Sequence, residues 1–433
     1  MKKFITTVFN AFIKFASTKS VTAIKDGFVA IMPATLIGSI FLLVASFPVS
    51  GFSDFMVNMF GENWIIGLNQ VSTNTFDIVS ILSVISIAYS YAKNEDRDGL
   101  SCGILALISY LIITESTVLS GTGEIVTGVI PRAWVGGNGL ITAIIIGLCS
   151  AKIFVFCYEK NLRIKMPESV PEGVMNAFSA LIPGFFILLY SMIIYQAFKI
   201  ITDGSFTEFI FTTIQIPLQN LSSTWLGCVI IVTLMSVLFW AGLHGPNIVM
   251  GVISPILVAN QIANQALIDA GTNTLANGSK ILTSQLLECY TKFGGTGITI
   301  GLVIAALIAA KSKQMRELSK LSLVPAVFNI NEPVIFGLPV VYNPVMLAPF
   351  ILVPLSAFFI TYGAALIGFL QPFGNINVPW TTPAIISGFI LGGWRGAVVQ
   401  IIVLIASVVI YYPFMMIQDK MCLSQEQEYE KQK

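Results

Sequence analysis

An all-α protein that crosses a membrane about ten times is the fold class this sequence predicts, and three observations predict it. The first is composition: 55% of the 433 residues are hydrophobic and only 10% are charged, against about 25% charged in a soluble domain, and mean hydropathy is +0.83. The second is that apolar runs long enough to cross a bilayer recur along the chain. The third is that most of the 23 basic residues gather in alternate connections between those runs, the positive-inside pattern. A net charge of +1 offers no electrostatic footprint for nucleic acid.

The elements follow in order. Residues 1–25 form a cytoplasmic amphipathic segment: Lys2, Lys3, Lys14 and Lys19 exclude a cleavable signal peptide, while Phe4, Ile5, Val8, Phe9, Phe12 and Ile13 share one helical face, as in an interfacial helix. Residues 26–418 form the membrane-embedded domain. Its expected spans lie near 27–48, 76–93, 100–118, 139–158, 176–198, 225–243, 246–263, 297–310, 344–370 and 384–412. The last is too long for an upright span and is expected to tilt, kink or project. Asp26 and Asp77 stand at span starts and read as helix caps. Residues 419–433 are a short polar cytoplasmic tail. Alternating spans put the basic groups around Lys93, Arg163, Lys313 and Lys420 on the side of the N-terminus, so both termini are expected in the cytoplasm.

Two interruptions carry the chemistry. Asn329-Ile330-Asn331-Glu332-Pro333 places a carboxylate between two apolar runs, and Pro325, Pro333 and Pro339 argue against a continuous helix. A carboxylate in a membrane segment costs about 2.5–3.5 kcal/mol on insertion scales and so has a task or a partner. Irregular backbone at such depth survives only where protein or a water-filled cavity satisfies it. The single histidine, His244, sits in the second break, Trp240-Ala241-Gly242-Leu243-His244-Gly245-Pro246-Asn247. It can hydrogen-bond a substrate hydroxyl or carry a proton, or it can bond a freed helix end. The loop bookkeeping brings His244 and Glu332 in from one face, with 311–342 re-entering the membrane.

Other residues are weighed beside these. Trp240, one turn before His244, is placed to face a cavity. Trp380, in a polar Pro-broken stretch, suits the apolar face of a sugar ring or an interfacial belt. Phe293-Gly294-Gly295-Thr296-Gly297 lacks the Lys-Ser/Thr of a phosphate loop and reads as close helix packing or a reentrant tip. The six cysteines show no metal or redox spacing, and neither a metal nor a cofactor is expected.

At these residues the chain resembles the membrane IIC component of the phosphoenolpyruvate-dependent sugar phosphotransferase system, lactose/cellobiose type. The resemblance runs through the basic N-terminus, Asp26-Gly27-Phe28 to Pro33, His244-Gly245-Pro246 and Asn331-Glu332-Pro333, and is closest to cellobiose and diacetylchitobiose transporters. It implies a homodimer in the bacterial plasma membrane that takes up a β-linked disaccharide. It also implies a separate cytoplasmic IIB protein, whose phosphocysteine phosphorylates the sugar and is recharged by IIA. By the same resemblance, His244 and Glu332 hold the hydroxyl to be phosphorylated and Trp380 stacks on the sugar. Gln219, Asn331, Trp240 and Asn247 are the further binding candidates. Trp380 reaches such a site only if 371–383 also dips inward. The competing reading is a proton-coupled sugar transporter that uses Glu332 and His244 as a relay.

Overall fold

The computed structural model describes residues 14, 18–47, 49, 51–120, 124–167, 170–202, 204–338 and 340–431. The expected interfacial helix over residues 4–13 lies outside the described residues. Six described helices are long and apolar enough to cross a bilayer: Lys19–Ala45, Gly137–Glu159, Glu172–Thr202, Gly245–Asp269, Pro344–Leu366 and Ile386–Glu428. Two bent pairs, Trp64–Phe76 with Val79–Asn94 (42°) and Phe206–Ser222 with Trp225–Trp240 (73°), raise the number to eight if each is one span. The expected spans near 100–118 and 297–310 are instead short apolar helices, Gly99–Ile113 and Ile300–Ala309. At 15 and 10 residues and about 1.5 Å rise each, neither covers a hydrocarbon core of about 30 Å. Ten is therefore the number of apolar segments rather than of full-length spans.

The chain divides into two compact units. The first comprises Met1–Gly38, Gln70–Asn220 and Met250–Ile262. Its core is built from Val79–Asn94 packed on Leu140–Glu159 and Gly99–Ile113, with Leu181–Thr202 against the last of these. Small residues, Ala88, Ala92, Cys102, Ala106, Ala143 and Ala151, are fully enclosed at these contacts and let the helices approach. Hydroxyls add polar links where water is absent: Ser109 to Ser191 at 2.6 Å and Thr114 to Thr207 at 3.1 Å. Beyond Ile113 the chain leaves the helix for a two-stranded antiparallel ribbon, Thr117–Leu119 with Ile125–Thr127. Neither Asp26 nor Asp77 is a cap. Asp26 lies well inside Lys19–Ala45 and accepts from Asn94 at 3.1 Å, and Asp77 pairs with Arg132 at 3.3 Å. A partner cation satisfies the second carboxylate better than a helix end that water already reaches.

The second unit comprises Ser39–Asn69, Leu221–Val249 and Ala263–Lys433. Trp225–Trp240 packs on Pro344–Leu366, and Ile300–Ala309 packs on the last helix. That last helix, Ile386–Lys431, is broken at Gly392 and Gly393, the kink its length called for. Its polar end does not trail away. Asp419 is buried and accepts from the backbone N–H groups of Lys311 (2.9 Å) and Ser312 (2.9 Å), and Glu426 accepts from those of Lys313 (3.2 Å) and Gln314 (2.9 Å). Two carboxylates thus satisfy the orphan donors that open the helix Lys313–Val327. Asp419→Ala is expected to destabilise the protein by about 2–3 kcal/mol, the value of buried charge-assisted hydrogen bonds, and Glu426→Ala by about 1 kcal/mol. Thermal unfolding in detergent measures both.

Large apolar side chains that face outward, among them Ile40, Phe185, Ile193, Leu352, Ile405 and Val409, form the surface that meets lipid. The buried polar side chains are chiefly Ser, Thr, Asn and Gln. Such neutral groups bond backbone within an apolar interior without the cost of burying a charge.

Candidate functional site

The histidine break is a tight reversal between two helices. Trp225–Trp240 closes with Leu243 N–H on the Leu238 carbonyl (3.0 Å), and the next helix, Gly245–Asp269, starts at once. His244 is the N-cap of that helix: its Nδ1 accepts from the Asn247 N–H at 3.3 Å. Gly245 is required here by close approach, because a Cβ would fall 2.1 Å from the Met235 carbonyl oxygen. The imidazole is exposed and stands edge-on to Phe239 at 5.1 Å, and Phe239 stacks on Phe350. An accepting Nδ1 assigns the proton of the neutral ring to Nε2, so the ring offers a donor on its other edge. Asn247 contributes its backbone N–H to the cap and holds an exposed side chain.

The acidic break forms where Lys313–Val327 ends. Asn329 has φ +66°, and the short helix Glu332–Gly337 begins two residues after Ile330. The backbone of Glu332 opens that helix; its side chain lies outside what the structure describes. Asn331 is buried, and its Nδ2 donates to the Thr296 carbonyl (2.9 Å) and Thr299 Oγ1 (3.1 Å). The Gly-rich stretch 293–297 is thereby seated against the break. Gly295, at φ +91°, lies where a Cβ would be 2.3 Å from the Asn331 side chain. Asn329 adds a second link, with Oδ1 accepting from the Gly294 N–H at 2.5 Å.

The non-helical stretch 371–383 comes to the same place. Asn329 Nδ2 donates to the carbonyls of Trp380 (2.6 Å) and Thr382 (2.9 Å). Carboxamides satisfy the rest of this irregular backbone. Asn264 donates to the Phe373 carbonyl, Asn273 to that of Pro372, and Gln285 to those of Gly374 and Ile376, while Gln265 accepts from the Asn375 N–H. Backbone without helix or sheet in an apolar setting requires such partners. Trp380 itself is 52% exposed.

Ten residues beyond Glu332, at Tyr342 and Asn343, the chain reaches the histidine break. Tyr342 N–H bonds the Trp240 carbonyl (3.1 Å), Trp240 Nε1 donates to the Asn343 carbonyl (2.8 Å), and the Trp240 and Tyr342 rings stand edge to face at 6.0 Å. Trp240 therefore ties the histidine break to the segment that opens the helix Pro344–Leu366. A narrow cleft beside them is lined by Ser236 on the histidine-side helix and by Thr296 and Gly297 of the Gly-rich loop, with Lys292 and Pro354. Lys292 is paired with Glu288 one turn earlier. Gln219 belongs to the first unit, buried in the helix Ile216–Ser222. Among the described residues no cluster of His, Cys, Asp and Glu has the arrangement of a metal site. Sequence reading named Asn329 only as part of the break, with no role of its own, and passed over Gln285, Asn264 and Asn273. Their common mark is a carboxamide inside or beside an apolar run.

Comparison with known proteins agrees with this architecture. The family model described as "Phosphotransferase system, EIIC" matches residues 25–354. The lichenan permease IIC component of Bacillus subtilis (strain 168) is 37% identical over 429 residues, covering 96% of this chain and 93% of that protein. The cellobiose-specific EIIC component of Geobacillus stearothermophilus is 35% identical, covering 96% and 93%. The crystal structure of the transporter ChbC, the IIC component from the N,N'-diacetylchitobiose-specific phosphotransferase system, superposes with TM-score 0.91 at 38% identity and covers 98% of this chain and 99% of that one. With a family match over most of its length and a fold shared with a solved IIC transporter, the chain belongs to the EIIC family of the phosphotransferase system, as a membrane-embedded permease subunit.

Proposed function

We propose that this permease subunit binds a β-linked disaccharide, diacetylchitobiose or cellobiose, and presents one hydroxyl to a separate phospho-IIB protein that IIA recharges. Supporting this are the β-linked sugars named for three similar proteins. The observation that carries it is local: Asn329 draws the Trp380 backbone to the acidic break, and Trp240 holds Tyr342 and Asn343, ten residues beyond Glu332, against the His244 turn. An aromatic face, a carboxylate and an imidazole donor are the three groups that hold a neutral saccharide and aim a hydroxyl.

In this reading His244 Nε2–H and the Glu332 carboxylate hold the acceptor hydroxyl from two sides, the carboxylate accepting its proton as the phosphoryl group arrives. Phosphoryl transfer depends on placing the acceptor oxygen in line with the donor. The sugar phosphate that results is anionic and no longer matches a site holding a carboxylate, which favours its release. Trp380 stacks on the ring, and Asn247 and Asn331 are secondary polar positions. Both termini lie in the cytoplasm, where IIB approaches, and the working unit is a homodimer in the bacterial plasma membrane.

A binding panel on purified protein tests the substrate. Diacetylchitobiose and cellobiose are expected to bind, lactose more weakly, and monosaccharides least. Equal affinity for monosaccharides refutes the disaccharide assignment. A phosphorylated internal product that depends on IIB separates this reading from proton-coupled transport. His244 has its own test. Asn is a good N-cap, so His244→Asn is expected to keep the melting temperature within a few degrees while sugar affinity falls about tenfold, the value of one hydrogen bond. Unchanged affinity would leave His244 as a cap alone.

A further inference from the structure

The geometry points to Asn329 as a positioning residue that fixes the distance between the Trp380 sugar platform and the acidic break. This rests on the sugar-site reading above and deepens it. Asn329 occupies three of the four hydrogen-bonding positions of its carboxamide: Oδ1 accepts from Gly294 N–H, and the two Nδ2 hydrogens go to the carbonyls of Trp380 and Thr382. The orientation of the amide is settled by its partners, since only oxygen can face the N–H and only nitrogen the two carbonyls. Asn is also the side-chain-bearing residue best suited to φ +66°. No other residue type combines that backbone with a short donor–acceptor fork. Gln is one methylene too long, Asp has no donor, and Gly has no side chain.

The placement makes the link functional. Asn329 is two residues from Asn331 and three from Glu332, and Asn331 is itself locked to Thr296 and Thr299. Trp380, half exposed, has little packing of its own to hold it. Its position follows from its backbone, and its backbone carbonyl is held by Asn329. One side chain thus sets where the aromatic face stands relative to the acid, and an error of about 1 Å in such a spacing is costly.

The test is a double-substitution cycle on the purified full-length protein, titrated with whichever of diacetylchitobiose or cellobiose binds it more tightly. Asn329→Asp keeps the Gly294 acceptor and turns an oxygen on two carbonyls. Asn329→Gly keeps the positive φ and removes only the fork. Each is expected to weaken binding about tenfold, as is Trp380→Ala. Asn329→Asp combined with Trp380→Ala is expected to lose no more than about twofold beyond the worse single variant, because both act through one platform. Losses that multiply show a merely structural role and overturn the proposal. So does wild-type affinity in both Asn329 variants, and so does failure of both to unfold cooperatively, which makes Asn329 a folding residue. Wild-type affinity in Trp380→Ala refutes the underlying platform reading, and this inference with it. A loss in Trp380→Ala without one at Asn329 refutes this inference alone.

Discussion

Glu332→Gln is expected to lower phosphorylation-coupled uptake by about two to four orders of magnitude while leaving sugar binding within about tenfold of wild type. The substitution keeps the size of the side chain and its capacity to hydrogen-bond. It removes the charge and the ability to accept a proton. Binding of a neutral saccharide depends on hydrogen bonds and stacking, to which Gln can contribute. Transfer depends on a base, or on a fixed charge, at the hydroxyl that attacks. Membrane vesicles supplied with IIA, IIB and phosphoenolpyruvate measure the second, and titration of the purified protein measures the first. Coupled uptake at the wild-type rate would remove Glu332 from the reaction. Parallel loss of both activities would make it a binding group only.

Gly295→Ala carries the second large effect. An added Cβ would sit 2.3 Å from the Asn331 side chain at a residue with φ +91°. Overpacking costs about 1–3 kcal/mol, and a left-handed conformation at a residue with a Cβ costs about 1–2 kcal/mol more. Relief is possible only by moving Asn331, whose amide is bound to Thr296 and Thr299, and Glu332 follows it in the chain. Sugar binding is therefore expected to fall below detection, with a melting temperature lower by several degrees. Gly278→Ala is the control. Gly278 has φ +89° and ψ +10°, in the left-handed region, but nothing within 4 Å of its would-be Cβ, so it reports backbone strain without crowding. If Gly295→Ala behaves like Gly278→Ala, the seating of the Gly-rich loop against the acidic break is not a constraint on the site.

The apolar runs, the two interruptions and their polar residues were legible because each depends on local composition. An apolar run of about 20 residues is readable as a span without knowing its neighbours, and a Pro-flanked carboxylate is readable as a break. The reading erred where length was set by surroundings. The span expected to reach residue 118 ends at Ile113, with Thr117–Leu119 in a ribbon, and residues 297–299 belong to the Gly-rich turn before Ile300–Ala309. The polar end after residue 418 read as a solvated tail, whereas Asp419 and Glu426 cap a helix more than a hundred residues earlier. Hydrophilicity reports a preference for polar partners and is silent on whether these are water or backbone N–H groups.

The same distinction separates the two kinds of site residue. His244, Glu332 and Trp380 stand out because a lone imidazole, acid or flat ring beside a break is chemically conspicuous. Asn329, Gln285, Asn264 and Asn273 look ordinary, and their importance comes from which carbonyls they meet 16 to 109 residues away. Sequence by itself determined that this is a helical membrane protein and where its two polar breaks fall, since hydropathy and proline act on the chain locally, and the motifs at those breaks carried the likeness to the EIIC family. Only the tertiary structure decided what each break meets and what holds it, because an unpaired backbone group deep in apolar protein is satisfied by whatever donor or acceptor the fold brings to it.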